Sequence, residues 1–314
     1  MTMSLSRLPG PHCRRGFAVV MAMLIVALAA SVAGFMAWQQ SMWVRQAENL
    51  SNLAQADAIA RAAGRWALMA LVEDGKRSAI DHEGELWATA LPLIPVEHGS
   101  ATIRMVDLQG RFNLNNLVQG LKPSAPDVAA FRRLLESQGL APDLANAVID
   151  WIDADGEPTF PGGAEDIDYL AARPPYRAAN RPLIDIGELA RVKGFDTAAL
   201  AKLAPFVAAL PATTPLNLNT APAEVLSAMF PKMSLVEAQG LVASRRDRPF
   251  LDLEDAKKRH PDLDLPRERF GVASQYFLAA TSAHFDRATV AYEMLLSRPS
   301  SGRTQLVWQK PVAY

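Results

Sequence analysis

Between Arg15 and Arg45 the chain carries no charged residue, and Phe17, Val19, Val20, Met21, Leu24, Ile25, Val26, Leu28, Val32, Phe35 and Met36 make the interval strongly apolar. A run of ~20 such residues is enough to cross a bilayer. Trp38 and Trp43 fall near its far end, at the depth of an interfacial aromatic belt. Arg14 and Arg15 precede it, so the positive-inside rule places the N-terminus in the cytoplasm. The run is too long for the ~7–15-residue apolar region of a secretory signal peptide. Beyond Arg45 the pattern turns amphipathic. Ile59, Ala62, Ala63, Trp66, Met69 and Ala70 recur at three- and four-residue spacing, while Arg45, Glu48, Gln55, Arg61 and Arg65 take other faces. Joined, the two stretches predict one helix of ~55 residues, ~80 Å long. Glu73-Asp74-Gly75-Lys76 ends it. Its first half needs lipid or partner helices, and its second half needs a sheet to cover.

Downstream the period changes. Ala101 to Asp107 alternates as a strand, Gln109-Gly110 turns it, and Arg111-Phe112-Asn113-Leu114 is expected to return beside it. From Leu117 to about Phe270 short helical patterns dominate: 128–138, 143–152, 186–192, 198–207, 223–229 and 234–245. Gly139, Gly194 and Pro211 punctuate them. Strand patterns resume at 276–283, 288–296 and 304–309, rich in β-branched and aromatic residues. The expected fold is therefore α+β: a long N-terminal helix on an antiparallel sheet, interrupted by a large all-α insertion. The expected units are 17–45 in the membrane, 46–116 and 271–314 as the α+β domain, and 117–270 as the inserted domain.

Composition adds two constraints. The formal net charge is −1, which gives no global basic excess for nucleic acid. The single cysteine is Cys13, so a disulfide framework is excluded and any staple must be packing or metal. HExxH, GxSxG and P-loop patterns are absent, and His12, His82, His98, His260 and His284 show no ligand spacing, so the chain does not read as an enzyme.

Candidate chemistry concentrates between Asp150 and Asp168. Asp150, Asp153, Asp155, Glu157, Glu165, Asp166 and Asp168 share this segment with Gly156, Gly162 and Gly163. Asp153-x-Asp155-Gly156 opens like an EF-hand, but the twelfth position is Ala164 and Glu165 comes one residue late. Two readings remain: a solvated acidic loop that caps a helix, or an irregular loop for a hard cation. Mutual repulsion of such close carboxylates and the turning freedom of Gly162-Gly163 count toward the cation without deciding between the two; the expected ligands are Asp153, Asp155, Glu165, Asp166 and Asp168. Zinc is disfavoured, since no Cys and no nearby His supplies ligands. Further on, Leu216-Asn217-Leu218-Asn219-Thr220-Ala221-Pro222 opens a helix with Thr220 as the expected cap. The segment through Arg245 and Phe250 to Asp255 resembles a helix-hairpin-helix module, with a weaker copy at Leu189 to Val207. That makes a membrane-anchored periplasmic DNA-binding protein the rival reading. The hairpin Phe230-Pro231-Lys232-Met233-Ser234 argues against it, because it lacks the glycines that let amides reach a phosphate.

Arg14-Arg15-Gly16-Phe17 before an apolar helix resembles the leader of type IV pilin-like proteins. GRFNLNNL, DWIDADG, GAEDIDY, PYRAAN and LNLNTAP, in that order, resemble the K-type minor pseudopilins of type II secretion systems, and the likeness covers nearly the whole chain. The resemblance implies a leader of residues 1–16, cleavage by prepilin peptidase after Gly16 and methylation of Phe17. It implies calcium in the α domain, a periplasmic bulk on an inner-membrane anchor, and assembly with I- and J-type minor pseudopilins on a filament of major pseudopilin. No nucleic-acid partner is expected. Most pilin-like proteins carry glutamate at mature position five; here that position is Met21, a departure characteristic of the K-type member.

Processing is open to direct measurement. Protein extracted from membranes of cells that contain the peptidase should lack residues 1–16 by intact mass. A mature N-terminus downstream of Ala30 would instead assign the cut to an ordinary signal peptidase.

Overall fold

The computed structural model describes residues 14–89, 93–299 and 303–312. The leader residues before Arg14 and Cys13 lie outside these. Helix α1 (Arg14–Arg77) runs unbroken for 64 residues. Strands β1 (Ile94–Val96) and β2 (Gly99–Asp107) follow. The chain then leaves through β3 (Phe112–Asn113), a 3-10 turn at Leu114–Leu117, and the short pair β4 (Val118–Gln119) and β5 (Lys122–Pro123). Helices α2 (Ala125–Ser137), α3 (Leu144–Ile152) and α4 (Asp166–Leu170) come next, then a 3-10 helix at Ile186–Arg191 and α5 (Thr197–Leu203). After β6 (Val207–Ala208) and β7 (Leu216–Asn217) lie α6 (Ala223–Met229), α7 (Leu235–Asp247) and α8 (Leu253–Arg259). Strand β8 (Phe270–Gly271) leads back to β9 (Tyr276–Phe285), β10 (Ala288–Ser297) and β11 (Gln305–Pro311).

Five strands form one antiparallel sheet in the order β1-β2-β9-β10-β11. The second half of α1 lies on one face of it. The helix stripe that the sheet buries is Ala56, Ala60, Ala63, Gly64, Ala67 and Leu71. It packs on Ile103, Met105, Phe277, Ala279, Met294 and Leu296. This corrects the stripe expected from periodicity. Only Ala63 of the expected set is fully buried, while Trp66 and Met69 face outward and Met69 is 68% exposed. The reason is distance. Small side chains let the helix axis approach the sheet closely, and a Cβ on Gly64 would collide with the thioether of Met294.

The inserted domain has its own core. Phe131 stacks on Phe112 at 5.4 Å, and Phe230 stacks on Phe270 at 4.7 Å. A smaller cluster of Leu108, Ala208, Leu210 and Leu295 joins it to the sheet. Three local expectations change. Phe112-Asn113 does not return beside β2 but pairs in parallel with β6, some 95 residues later, through Phe112↔Val207. Thr220 does not cap α6, which starts at Ala223 with Pro222 in the capping place. Its hydroxyl donates to Asp107 instead, at 2.5 Å. The sequence pattern also missed α4 and α8, short helices that polar caps rather than apolar periodicity define. Asp252 starts α8 by accepting from the amide of Asp255 at 2.7 Å.

The two faces of α1 should respond differently to substitution. Ala63→Leu overpacks the sheet contact and should cost about 1–3 kcal/mol. Met69→Ala, on the exposed face, should stay within about 0.5 kcal/mol. Urea unfolding of the detergent-solubilised chain measures both, and equal costs would refute the assignment of faces.

Candidate functional site

Helix α3 is almost entirely buried and stops at Asp153, whose backbone is extended. One turn earlier Asp150 points into the loop that follows and is fully buried. Its carboxylate accepts from the amides of Thr159 at 3.0 Å and Ala164 at 2.8 Å. The loop is thereby folded back onto the end of α3. Gly163 makes this possible, since a Cβ there would collide with the Asp150 carboxylate and the Thr159 carbonyl.

The fold-back brings Asp153, Asp155 and Glu165 together. One carboxylate oxygen from each lies within 4.8 Å of the others. Glu165 is 2% exposed and Asp153 7%. Both oxygens of Glu165 and Oδ1 of Asp153 are buried without a hydrogen-bond partner. Burial, then the neighbouring carboxylates Asp155 and Asp150, pushes Asp153 up to about 6. Burial, with Asp150 and Asp153 adding to it, pushes Glu165 up to about 7. Orphaned, desolvated carboxylate oxygens aimed at one point fit a hard divalent cation. Such ions take six to eight oxygens, so carbonyls or water would complete the shell.

Asp166 and Asp168 lie outside this group. Asp166 accepts from the amide of Ala178 at 3.0 Å and pairs with Arg177 at 3.4 Å. Asp168 pairs with Lys193 at 2.8 Å, a bond that holds its carboxyl below the usual range. Both serve to tie α4 to later segments. Asp150, which organises the loop, was legible only as a helix residue. No local signal marks a carboxylate that captures amides 9 and 14 residues ahead.

At the other end, Gly16, Phe17 and Met21 lie in the exposed first turns of α1, with Met21 44% exposed. No residue of the apolar window of α1 is buried within the chain, so this surface needs lipid or partners. In the hairpin region, Arg259 is taken up by Asp255 at 3.6 Å, the carbonyl of Arg248 at 2.8 Å and the ring of Phe250 at 4.3 Å.

An apolar helix laid on an antiparallel sheet, its first half bare, with a helical domain spliced between neighbouring strands, defines a membrane-anchored pilin-like protein of elaborated type. Comparison narrows this. Family models described as type II secretion system (T2SS), protein K match residues 110–212 and 216–272. The chain is 32% identical to the Type II secretion system protein K of Pseudomonas aeruginosa over 309 residues, 94% of this chain and 92% of that one. It is 33% identical to the protein of that name from Klebsiella pneumoniae over 318 residues, covering 95% and 96%. Among solved structures it resembles a chain of the GspK-GspI-GspJ complex from the enterotoxigenic Escherichia coli type 2 secretion system. That match has a TM-score of 0.73 at 25% identity and covers 86% of this chain and 100% of that one. The chain belongs to the type II secretion system protein K family, the K-type minor pseudopilins.

The acidic group makes the stability of the fold depend on pH. Asp153 and Glu165 have folded-state values raised above their unfolded ones, from 3.8 to about 6 and from 4.5 to about 7. Stability from these groups is therefore complete below pH ~4 and lost as pH rises through about 6 to 7. Metal-free protein should melt higher at pH 5 than at pH 8, and calcium should reverse the order. Identical melting at both pH values, with and without calcium, would refute a shared cation site.

Proposed function

We propose that this K-type minor pseudopilin sits at the tip of the pseudopilus, assembles there with I- and J-type subunits above the major pseudopilin, and supports export of folded proteins across the outer membrane. The observation that carries this reading is the splicing of a whole helical domain between β2 and β9, strands that pair directly. A subunit this enlarged at one place suits a cap, where nothing must stack above it, better than a repeated position along a thin filament. Met21 supports the same reading. At mature position five a carboxylate would pair with the amine of an adjoining subunit, and a terminal subunit forgoes little by lacking it. Arg14 and Arg15 ahead of the apolar run support an orientation with the start of α1 in the cytoplasm and the bulk in the periplasm. Prepilin peptidase would cut after Gly16 and leave a methylated Phe17.

The outer face of α1 supplies the assembly surface. Trp66, Met69 and Val72 are exposed there, and Leu86 stands beside them at 59% exposure. In the inserted domain Asp153, Asp155 and Glu165 would hold calcium, which supplies the positive charge that their buried oxygens lack. The chain's own part is to hold Asp153 at the end of α3 and Glu165 at the start of α4, and to exclude water from both. The GspK-GspI-GspJ complex of the enterotoxigenic E. coli system supports the partnership by likeness.

Co-expression of the full chain with I- and J-type subunits should yield a complex on affinity purification in detergent. Met69→Glu, which tolerates solvent but not an apolar interface, should cut recovery severalfold while the melting temperature of the isolated chain holds. Full recovery with Met69→Glu would remove this face of α1 from the assembly surface. Failure of the unmodified chain to join either partner would count against the tip reading itself.

A further inference from the structure

The turn at His82–Gly84, which follows α1, faces the inserted domain across a crevice of about 210 Å³. Glu83 lines one wall, and Asn219, Arg245 and Arg246 line the other. Arg245 is 4% exposed. Its guanidinium donates to the carbonyls of Leu218 at 2.5 Å and Ala221 at 2.6 Å. Those two bonds fix the turn before α6 and use two of the five donors that arginine carries. Among the described residues neither Arg245 nor Arg246 has a carboxylate within 4.0 Å.

A buried cation met only by carbonyl oxygens is costly, because the carbonyls carry partial charges and the guanidinium a full one. Burial pushes Arg245 down to about 10; Glu83 opposes that shift and Arg246 adds to it. Two carbonyls explain why Arg245 is placed where it is. They do not explain a second arginine on the same wall, nor an open crevice in front of both. We propose that this crevice binds an oxyanion, a carboxylate or phosphate group, held by Arg245 and Arg246. A guanidinium fork matches both groups geometrically and donates charge-assisted hydrogen bonds to either. Glu83 sets the affinity from the facing wall, because its like charge repels the ligand. The site bridges the α+β domain and the inserted domain, so its occupant would couple them.

The test uses the full-length chain in detergent, freed of metal by dialysis so that phosphate has no calcium to sequester. Sodium acetate and inorganic phosphate are each titrated against sodium chloride of equal ionic strength, with calorimetry and melting temperature as readouts. At least one of the two should bind and raise the melting temperature above the chloride control. Arg246→Gln, at an exposed position, should weaken that binding roughly tenfold, the worth of one charge-assisted pair. Glu83→Gln, also exposed, should tighten it. A response to acetate alone assigns a carboxylate such as an acidic side chain of a neighbouring protein; a response to phosphate alone assigns a phosphate group. The proposal is overturned if neither anion exceeds chloride. It is equally overturned if the stabilisation survives Arg246→Gln undiminished, which would mark general exclusion of a kosmotropic anion from the surface.

Discussion

The architecture depends on one pairing. Strand β2 ends at Asp107 opposite Phe277 of β9, and the two strands stay in register back to Gly99 and Phe285. Everything between Leu108 and Tyr276 must therefore leave the sheet and return to it within one strand spacing, about 4.8 Å. Asp107 stands at that exit and is buried. It accepts from the amide of Gln109 at 2.8 Å, from Asn217 at 2.9 Å, from Thr220 at 2.5 Å and from the hydroxyl of Ser274 at 2.6 Å. Departure, inserted domain and return are thus tied to a single carboxylate. Ser274 also donates its amide to Asp81 at 2.7 Å, and Arg298 bonds both Asp81 and Asp74, the latter near the end of α1. The knot makes the angle between anchor and inserted domain a property of side-chain chemistry rather than of a loose linker. Buried polar groups so fully satisfied specify one arrangement, because any slip leaves donors unpaired.

Helix α1 imposes a second constraint from the opposite side. A single helix must leave one half bare and apolar and lay the other on the sheet. It does so by segregating size rather than polarity. Alanines and Gly64 go to the sheet, and Trp66, Met69 and Val72 go outward. Buried methyls contribute little area each, yet they permit close approach, so dispersion contacts with Met294, Phe277 and Ile103 compensate. The large side chains stay exposed, so their area contributes little to folding and, under the proposed assembly, would count there instead.

This segregation explains how far the sequence could be read. The uncharged run and the strands near the C-terminus were legible, since each repeats one pattern many times. Strands β9 and β10 fall within two residues of the segments that alternation marked. The buried face of α1 was not legible, because hydrophobic weighting favours Trp66 and Met69 whereas close packing favours Ala60 and Ala67. Phe112 looked like a returning strand because Val207, its true neighbour, is remote. The acidic segment announced chemistry but not its partition. Asp166 and Asp168 are less buried than Asp153 and have Arg177 and Lys193 within reach, differences that the fold alone decides. Asp107 closes an ordinary alternating strand, and its other partners lie from Asn217 to Ser274. The family likeness carried information on the whole chain that local patterns could not.

The acidic loop then has a mechanical logic. Cys13 is the only cysteine, and it precedes α1, so no disulfide can close the segment between α3 and α4. Asp150 already fastens the loop by its amides, but at the cost of drawing Asp153 and Glu165 into a shared, desolvated space. Packing cannot relieve that cost, because the unpaired atoms are charged oxygens rather than voids. Protonation relieves it only below neutral pH. A divalent cation would relieve it near pH 7 and would cross-link the end of one helix to the start of the next. In a domain whose ends are already knotted at Asp107, a second tie at Glu165 would fix the far side of the helical core. The knot and the cation would then share one role, that of giving an inserted domain the rigidity of a continuous one.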